Sequence, residues 1–156
     1  NMMLDEAFPK GALNYWKSNL LSGLSDDAID TLVTQFEQCP SPMSGLLLEH
    51  LHGAVTRVSP TETAFALRDP GYNLLVISEW LEPGENEKNI AWAKDTYTAM
   101  EPFHAAGTYS SYLTDDAALA RVQAAYGVNF ERLQTLKSRY DPENVFHLNQ
   151  NIPPSA

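Results

Sequence analysis

Two tyrosines separated by two serines, Tyr109 and Tyr112, are the first residues of this chain whose type and spacing point to chemistry. A tyrosine hydroxyl titrates near pH 10, so ionising it at pH 7 costs about 4 kcal/mol. A tyrosine therefore works as a base only beside a cation, a hydrogen-bond donor or a proton acceptor. Without such a neighbour, the same tetrapeptide is interpreted as the amphipathic edge of a strand, where both rings are structural.

The histidines and the single cysteine offer metal and thiol chemistry. His50 and His52 alternate along an apolar stretch and are expected on one face of a strand. No third ligand follows at a recognised metal spacing, so the sequence predicts no metal site. Cys39 stands alone, which excludes an internal disulfide and a thiolate metal cage, and it is interpreted as a bystander thiol.

The composition fits one globular domain without a nucleic-acid or membrane partner. The chain has 156 residues and a formal net charge of −10, whereas phosphate contacts need clustered Lys and Arg. No stretch approaches the roughly 18 apolar residues of a membrane helix, and no signal peptide is visible. We therefore expect a soluble, cytoplasmic protein. The first residue is Asn1 rather than methionine, so we expect that the natural start of the chain is missing or has been replaced.

The elements that must position these residues follow from apolar periodicity. A helix is predicted over residues 25–38, with Ser25 as its N-cap. Its apolar stripe contains four residues: Ile29, Leu32, Val33 and Phe36. A second helix is predicted to end near Met100, and residues 13–21 fit either a strand or a short helix.

Strands are predicted at residues 44–51, 63–67, 72–80 and 107–113. The strand at residues 72–80 is the strongest of these predictions, because no glycine or proline interrupts it. Strands joined by short turns must be antiparallel. The predicted fold class is therefore α+β, an antiparallel sheet with helices covering one face. The other face looks too apolar to meet water, so we expect it to meet a partner surface.

The C-terminal third is predicted to hold two helices and an amide-rich tail. Thr114 can cap a helix over residues 115–126, which Gly127 ends. Asn129 can cap the next helix, whose apolar residues are Phe130, Leu133, Leu136 and Tyr140. Pro142 stops that helix, because the residue before a proline disfavours the helical conformation.

From Tyr126 to Pro154 the chain resembles the C-terminus of the berberine-bridge-enzyme-like family of FAD-linked oxidases. That family ends in YG-x-N-[FY]-x-RL, then K-x-x-[YF]-DP-x-N-x-F and NQ-x-I-x-P. The chain has YGVNFERL from Tyr126, KSRYDPENVF from Lys137 and NQNIPP from Asn149. The match spans about thirty residues with many fixed positions, which makes it far more specific than a lone glycine motif.

The resemblance implies that residues 1–156 are the C-terminal substrate-binding domain of a larger flavoprotein, with a berberine-bridge-type tail from about residue 107. In this family, FAD is bound mainly by an N-terminal domain with a glycine-rich pyrophosphate loop. No such loop is found among the eight glycines of this chain, so we expect the missing N-terminal domain to hold FAD. The implied partners are that flavin domain, a small-molecule substrate and molecular oxygen. The comparison also favours a strand at residues 13–21.

The resemblance assigns roles to the tetrapeptide that begins at Tyr109. It looks like the Y-x-N-[YF] motif that lines the flavin, in which the last residue is often the catalytic base, and this position is Tyr112. Tyr109 would line the substrate pocket, and Ser111 stands where the family has a flavin-contacting asparagine. In a regular strand the two tyrosines point to opposite faces, so we predict that the strand ends or bulges between them.

Five further residues are assigned by the same comparison. Glu49 is the candidate catalytic partner that relays a proton from the tyrosine base, and the alternative is a solvated glutamate at a strand end. Asn73 and Trp16 are candidate substrate-binding residues, of which Trp16 also fits an ordinary core position. Asn149 and Gln150 are candidate cofactor-binding residues, and the alternative is that these amides satisfy the loop backbone.

The resemblance therefore implies the substrate-binding portion of an FAD-dependent oxidase or dehydrogenase. Such an enzyme oxidises an alcohol, sugar or phenol-type molecule by hydride transfer to the flavin, and this chain alone is expected to be inactive. The alternative is a non-catalytic α+β binding module derived from the family, which the serine at position 111 favours. An independent acid–base enzyme would need paired carboxylates at a cleft, and the sequence offers no convincing pair.

Overall fold

An antiparallel sheet of three strands forms the centre of the computed structural model, which describes residues 9–113 and 119–155. The strands are β1 (Leu13–Leu21), β2 (Gly45–Leu51) and β3 (Gly71–Trp80), in the spatial order β1-β3-β2. β3 is central because its apolar run can be buried on both faces. The two stronger strand predictions in this part of the chain are confirmed, and the ambiguous first segment is a strand.

The register of the sheet separates its side chains onto two faces. Directly paired residues point to the same face, and successive residues along a strand alternate. Val76 points to the first face and packs in the main core. Asn73 pairs with Leu20 of β1 and Glu49 of β2 on the second face. The candidate residues Glu49 and Asn73 therefore share the second face.

Helices α1 (Asp26–Glu37) and α2 (Asn86–Ala99) cover the first face. The Ser25 hydroxyl accepts a hydrogen bond from the N–H of Ala28, which confirms the predicted N-cap of α1. The core between these helices and the sheet contains eight buried residues: Leu21, Ala28, Leu32, Leu74, Val76, Trp92, Ala93 and Met100. The predicted α+β fold, with helices on one face of an antiparallel sheet, is confirmed.

The apolar stripe predicted for α1 is only partly buried. Leu32 is buried, as is Ala28 one turn earlier. Ile29, Val33 and Phe36 are 43%, 53% and 51% exposed. The helix lies on the sheet through the side that carries Ala28, because this small residue permits a close approach of the backbone.

The strand predicted at residues 63–67 is wrong, because this segment is an irregular loop. Arg68 donates from Nη1 to the carbonyl of Val55 at 3.2 Å and from Nη2 to the hydroxyl of Thr63 at 2.6 Å. Arg68 thus satisfies two of the polar groups of the loop without a sheet edge.

The strand predicted at residues 107–113 is also wrong, because the chain turns there. Gly107 has φ +93°, a conformation that glycine adopts without steric cost, and a 3-10 turn, Ser110–Tyr112, follows. The N–H of Tyr112 donates to the carbonyl of Tyr109 at 3.1 Å. We call residues 109–112 the tyrosine turn. It provides the irregularity that was predicted between the two tyrosines.

Helices α3 (Leu119–Tyr126) and α4 (Phe130–Tyr140) form the C-terminal part. α3 buries its apolar side against Leu113, and Gly127 ends it with φ +49°, as predicted. The predicted cap Thr114 and the predicted start of α3 lie outside the described residues. Within the described ranges, no helix combines the length and apolar character needed to cross a bilayer.

Asn129 precedes α4 but does not cap it, which corrects the sequence prediction. Its backbone is already helical (φ −91°, ψ −9°), and its side chain makes no capping hydrogen bond. Its Nδ2 donates to three loop carbonyls, those of Pro60 at 2.7 Å, Thr63 at 3.0 Å and Ala64 at 3.4 Å. The side chain therefore connects the C-terminal helices to the loop between β2 and β3.

Asp141 ends α4 and shapes the tail that follows. Its carboxylate accepts hydrogen bonds from the N–H groups of Val145 at 2.8 Å and Phe146 at 3.0 Å, and from Lys137. The hydrogen bond from Lys137 is the main cause that lowers the pKa of Asp141 below its ordinary value. These contacts give a physical role to the fixed positions Lys137, Asp141 and Phe146 of the tail motif. Asn144, another fixed position, has φ +52° and donates its N–H to the carbonyl of Asp141 at 3.0 Å.

In the described part of the chain, the second face of the sheet is covered at one end. The loop of residues 53–68 and the segment of residues 105–112 lie over the end that holds Leu20. On the edge strand β2, Leu47 of this face is 46% exposed, whereas its partner Leu75 on the central strand is 1% exposed. Glu79 also points to this face, is 4% exposed, and its Oε2 has no hydrogen-bond partner among the described residues. Burial raises the pKa of Glu79. A partner surface for the second face stays a prediction.

Candidate active site

A hydrogen-bonded chain of side chains lies on the second face of the sheet. Glu49 and Asn73 are direct cross-strand partners, and Asn73 Nδ2 donates to Glu49 Oε2 at 2.7 Å. The hydroxyl of Tyr112 donates to Glu49 Oε1 at 3.1 Å. Glu49 and Tyr112 therefore meet on one face, which is the condition that the relay hypothesis requires.

The tyrosine turn brings Tyr109 to the same place. In a strand the two rings would point apart, but here the centroids of Tyr109 and Tyr112 lie 5.4 Å apart at 77°, an edge-to-face contact. Tyr109 makes a second edge-to-face contact with Phe65 at 5.5 Å. The Trp16 ring lies 6.4 Å from that of Tyr112. Tyr109 and Trp16 thus flank the candidate base, and their roles toward a substrate stay predictions.

A cavity of about 310 Å³ opens beside this chain of hydrogen bonds. It is lined by Leu20, Glu49, Leu51, Val55, Phe65, Leu67, Asn73 and Tyr109. Most of these side chains are apolar, so the cavity suits a carbon skeleton with few polar groups. A second cavity of about 150 Å³ shares the three leucines but contains none of the predicted site residues. The first cavity is therefore the candidate substrate site.

The pKa of Tyr112 lies above its ordinary value of 10.0. Burial is the largest cause, followed by the charge of Glu49, the hydrogen bond to Glu49 and the neighbouring Tyr109. Each cause favours the neutral phenol, since an ionised oxygen would be buried and would face a carboxylate. Tyr112 is therefore a phenol at neutral pH, and the geometry suits transfer of its proton to Glu49.

The three residues predicted to contact the cofactor lie outside this hydrogen-bonded chain. Ser111 is exposed in the middle of the tyrosine turn. Asn149 is exposed in the tail with φ +58°. Gln150 Nε2 donates to the carbonyl of Leu113 at 2.8 Å, so this side chain holds the end of the turn. Their roles toward a flavin stay predictions.

Three residues that support the site were not predicted from the sequence. Ser18 Oγ donates to Asn73 Oδ1 at 2.9 Å, but a serine within a strand carries no sequence signal of such a role. Val55 and Phe65 line the cavity from the loop between β2 and β3, of which residues 63–67 were predicted as a strand. The ring of Phe65 lies under the Arg68 guanidinium at 4.9 Å, a contact that the sequence did not indicate.

The alternating histidines contact each other and are not part of the cavity lining. The ring centroids of His50 and His52 lie 4.2 Å apart, and His50 stacks on Tyr72 at 4.7 Å. Both histidines are exposed. Among the described residues, no group of three or more His, Cys, Asp or Glu side chains could hold a metal ion.

The cavity fits the reacting side of a flavin and its substrate better than it fits a dinucleotide. Its lining contains aromatic rings and a carboxylate, but no lysine, arginine or glycine. A diphosphate needs cations or a turn of free backbone N–H groups. The part of FAD that this cavity fits is therefore its ring system, which would contact residues near Tyr109.

The class of protein to which this fold and site belong is identified by comparison with known proteins. The family model described as "Berberine and berberine like" matches residues 108–153, from the tyrosine turn to the tail. The chain is 35% identical over 131 residues to the uncharacterized FAD-linked oxidoreductase YgaK of Bacillus subtilis (strain 168), a match that covers 84% of the chain and 29% of YgaK. The class is that of FAD-linked oxidoreductases.

Solved structures show the same fold. Berberine bridge enzyme from Eschscholzia californica matches with a TM-score of 0.84 at 22% identity, over 93% of the chain and 34% of that protein. Glycopeptide hexose oxidase DBV29, complexed with teicoplanin, matches with a TM-score of 0.81 at 24% identity, over 92% of the chain and 33% of that protein. The chain belongs to the berberine-bridge-enzyme-like family of FAD-linked oxidoreductases. It spans about a third of the length of these relatives.

Proposed function

We propose that this chain is the substrate-binding portion of an FAD-dependent oxidase or dehydrogenase, which oxidises an alcohol, sugar or phenol-type molecule. The hydrogen bond from Tyr112 to Glu49 beside the cavity carries this proposal. Oxidation of a hydroxyl-bearing carbon requires a group that accepts the hydroxyl proton, and this pair supplies one. The greater length of the relatives supports a further, N-terminal domain as the main holder of FAD.

The proposed reaction removes two electrons and two hydrogens from the substrate. The substrate hydroxyl gives its proton to the oxygen of Tyr112, while the proton of Tyr112 passes to Glu49 Oε1. In an alcohol or sugar, the carbon–hydrogen bond at the hydroxyl-bearing carbon breaks with its electron pair, and the carbon–oxygen bond becomes a carbonyl. FAD, when bound, accepts the hydride, and molecular oxygen is the proposed final electron acceptor.

The raised pKa of Tyr112 favours a relay over a preformed tyrosinate. In a relay, the phenol loses one proton as it gains another, so the cost of about 4 kcal/mol for a free tyrosinate does not arise. Glu49 is the group whose charge changes, and its second oxygen is already bonded by Asn73. The carboxylate is thus the base of the pair, and the phenol is the proposed group between it and the substrate hydroxyl.

The apolar cavity lining supports a positioning role for this domain. Leu20, Val55 and Phe65 offer contact surface without hydrogen-bonding groups, so the carbon skeleton of a substrate packs on them. Its hydroxyl is then directed to Tyr112, where the polar groups are. Holding the reacting atoms in this geometry is a major part of catalysis for enzymes that use a bound redox cofactor.

Tyr112→Phe tests this function in the flavin-loaded protein. The rate constant of flavin reduction should fall about 10²- to 10⁴-fold, since the substrate proton loses its acceptor. Bleaching of the flavin absorption after mixing with candidate sugars, alcohols and phenols gives the rate. Tyr97→Phe is a matched control, because Tyr97 lies on α2, which covers the first face of the sheet, and it should leave the rate unchanged. An unchanged rate in Tyr112→Phe would exclude Tyr112 from the reaction.

The alternative function is a non-catalytic binding module derived from the same family. Ser111 favours it, because this residue replaces the asparagine of the family motif. This alternative predicts that no candidate substrate bleaches the flavin, even after long incubation, although small apolar molecules still bind in the cavity.

A further inference from the structure

We propose that Ser18 and Asn73 are positioning residues, which hold the Glu49 carboxylate in the orientation that accepts the proton of Tyr112. This inference rests on the proposed function and adds residues to it. Ser18 lies in β1, Asn73 in β3 and Glu49 in β2, so the hydrogen-bonded chain crosses the whole sheet. Each of the three strands contributes one member.

Burial makes these hydrogen bonds strong determinants of orientation. Ser18 is 2% exposed and Asn73 is 1% exposed, so water does not compete for their polar atoms. A buried amide whose oxygen or nitrogen is left unpaired is costly. Asn73 avoids that cost because Ser18 bonds its oxygen at 2.9 Å and its nitrogen bonds Glu49 at 2.7 Å.

The two ends of the Asn73 amide are chemically different, and this difference orients Glu49. With Oδ1 toward Ser18, the amide presents Nδ2, a donor, to Glu49. A donor favours an ionised carboxylate and fixes Oε2, which leaves Oε1 free to face Tyr112. The reversed amide would place its oxygen against a carboxylate oxygen and repel it.

Asn73 lines the cavity and was predicted to bind substrate. Its oxygen accepts from Ser18 and one of its N–H groups donates to Glu49. Through these two bonds Asn73 acts on the Glu49 carboxylate, and Ser18 acts one step further away.

Ser18→Ala in the full chain tests the proposal, with Ser78→Ala as a matched control. Ser78 is likewise buried in the sheet, but its hydroxyl donates to the carbonyl of Asn89 at 2.9 Å on the first face. Carbon-13 NMR of tyrosine-labelled protein follows the Cζ signal of Tyr112 as a function of pH, and Tyr112→Phe identifies that signal. Near-ultraviolet circular dichroism verifies that each variant is folded.

The pKa of Tyr112 should fall toward its ordinary value in Ser18→Ala, because a loosened Glu49 bonds the phenol less well. Ser18→Thr keeps the hydroxyl and should restore the parent pKa, and Ser78→Ala should leave it unchanged. Asn73→Ala, a second variant, should lower the pKa in the same direction. In the flavin-loaded protein, Ser18→Ala should slow flavin reduction about tenfold with unchanged substrate affinity, the effect of one hydrogen bond to a charged group.

The proposal is overturned if the Cζ signal of Tyr112 titrates at the same pH in the parent, Ser18→Ala and Asn73→Ala. It is also overturned if Ser78→Ala moves the titration as far as Ser18→Ala does. The NMR result is independent of flavin chemistry. If the titration shifts as expected but Tyr112→Phe reduces the flavin at the parent rate, the positioning stands and the proposed function fails.

Discussion

In the proposed reaction, the phenol of Tyr112 and the carboxylate of Glu49 act together as the base. The carboxylate lines the cavity and accepts the hydrogen bond of the phenol. Their contact also links the site to stability, because the pKa of Tyr112 in the fold is raised above its unfolded value near 10. Its contribution to stability is fully present below pH 10 and is lost as pH rises through the folded pKa.

Glu79 gives a prediction about stability and pH. Burial raises its pKa above 4.5, so the protonated carboxyl stabilises the fold below pH 4.5, and this contribution is lost as pH rises through the folded pKa. Glu79→Gln removes the buried charge. The free energy of unfolding at pH 7 should therefore rise by about 1 kcal/mol, and the gain should shrink near pH 4. Urea denaturation at both pH values measures it.

The control for this prediction is Glu82→Gln, since Glu82 is exposed just beyond the end of β3. It should change the free energy of unfolding little at either pH. A Glu79→Gln variant that is less stable than the parent at pH 7 would show that the charged carboxylate has a stabilising partner.

Single residues were predictable where a motif marked them. Glu49, Tyr109 and Tyr112 were selected through the resemblance, and the structure brings them together. Their roles in catalysis stay predictions. Ser18 was not predictable, because its importance comes from a partner 55 positions away in the sequence. Only the register of the sheet reveals such a pair.

At the level of elements, the tyrosine turn is held from the tail. Gln150 Nε2 donates to the carbonyl of Leu113, the residue that follows the turn. Gln150→Ala should loosen the turn, so the N–H groups of Tyr112 and Leu113, which bond within it, should exchange with deuterium about fivefold faster. Hydrogen–deuterium exchange followed by NMR measures this rate.

Gln134→Ala is the matched control for the loosened turn. Gln134 Nε2 also donates to a backbone carbonyl of the tail, that of Pro153 at 3.1 Å, but it does not contact the tyrosine turn. Exchange at Tyr112 should therefore match the parent in this variant. Equal exchange in Gln150→Ala and the parent would show that the turn is stable without the tail.

Helices and strands were predictable from the sequence where the local residue pattern agrees with the burial that the fold gives those residues. β3 has an unbroken apolar run, and α1 has a cap followed by acidic residues. Residues 63–67 and 107–113 also have strand-like composition, yet they fold as a loop and a turn. Their structure depends on Arg68, Asn129 and Gly107, which act through contacts that composition does not encode.

At the level of the whole molecule, the C-terminal part has several large apolar side chains in contact with solvent. They are Leu136, Tyr140, Val145, Phe146 and Leu148, which are between 41% and 84% exposed. Exposed apolar residues in this number are typical of a surface that another domain covers. They support the proposal that this chain packs against a flavin domain.

The cavity leads to a prediction about FAD. Its lining offers no cation and no glycine turn for a diphosphate, so the 156-residue chain alone should not bind FAD tightly. Isothermal titration with FAD should show no saturable binding at micromolar concentrations, and the purified chain should lack flavin absorption. Stoichiometric flavin in the purified chain would contradict the assignment of FAD to another domain.

The contact between Asn129 and the loop carbonyls has a consequence for engineering. Asn129 belongs to the C-terminal motif, but the loop that it fastens carries Phe65 into the cavity. A chimera that receives the C-terminus of a relative would therefore inherit part of that relative's selectivity, although no transplanted side chain needs to meet the ligand. Directed evolution of substrate preference should therefore randomise Asn129 and the loop residues that it contacts, as well as the residues that line the cavity.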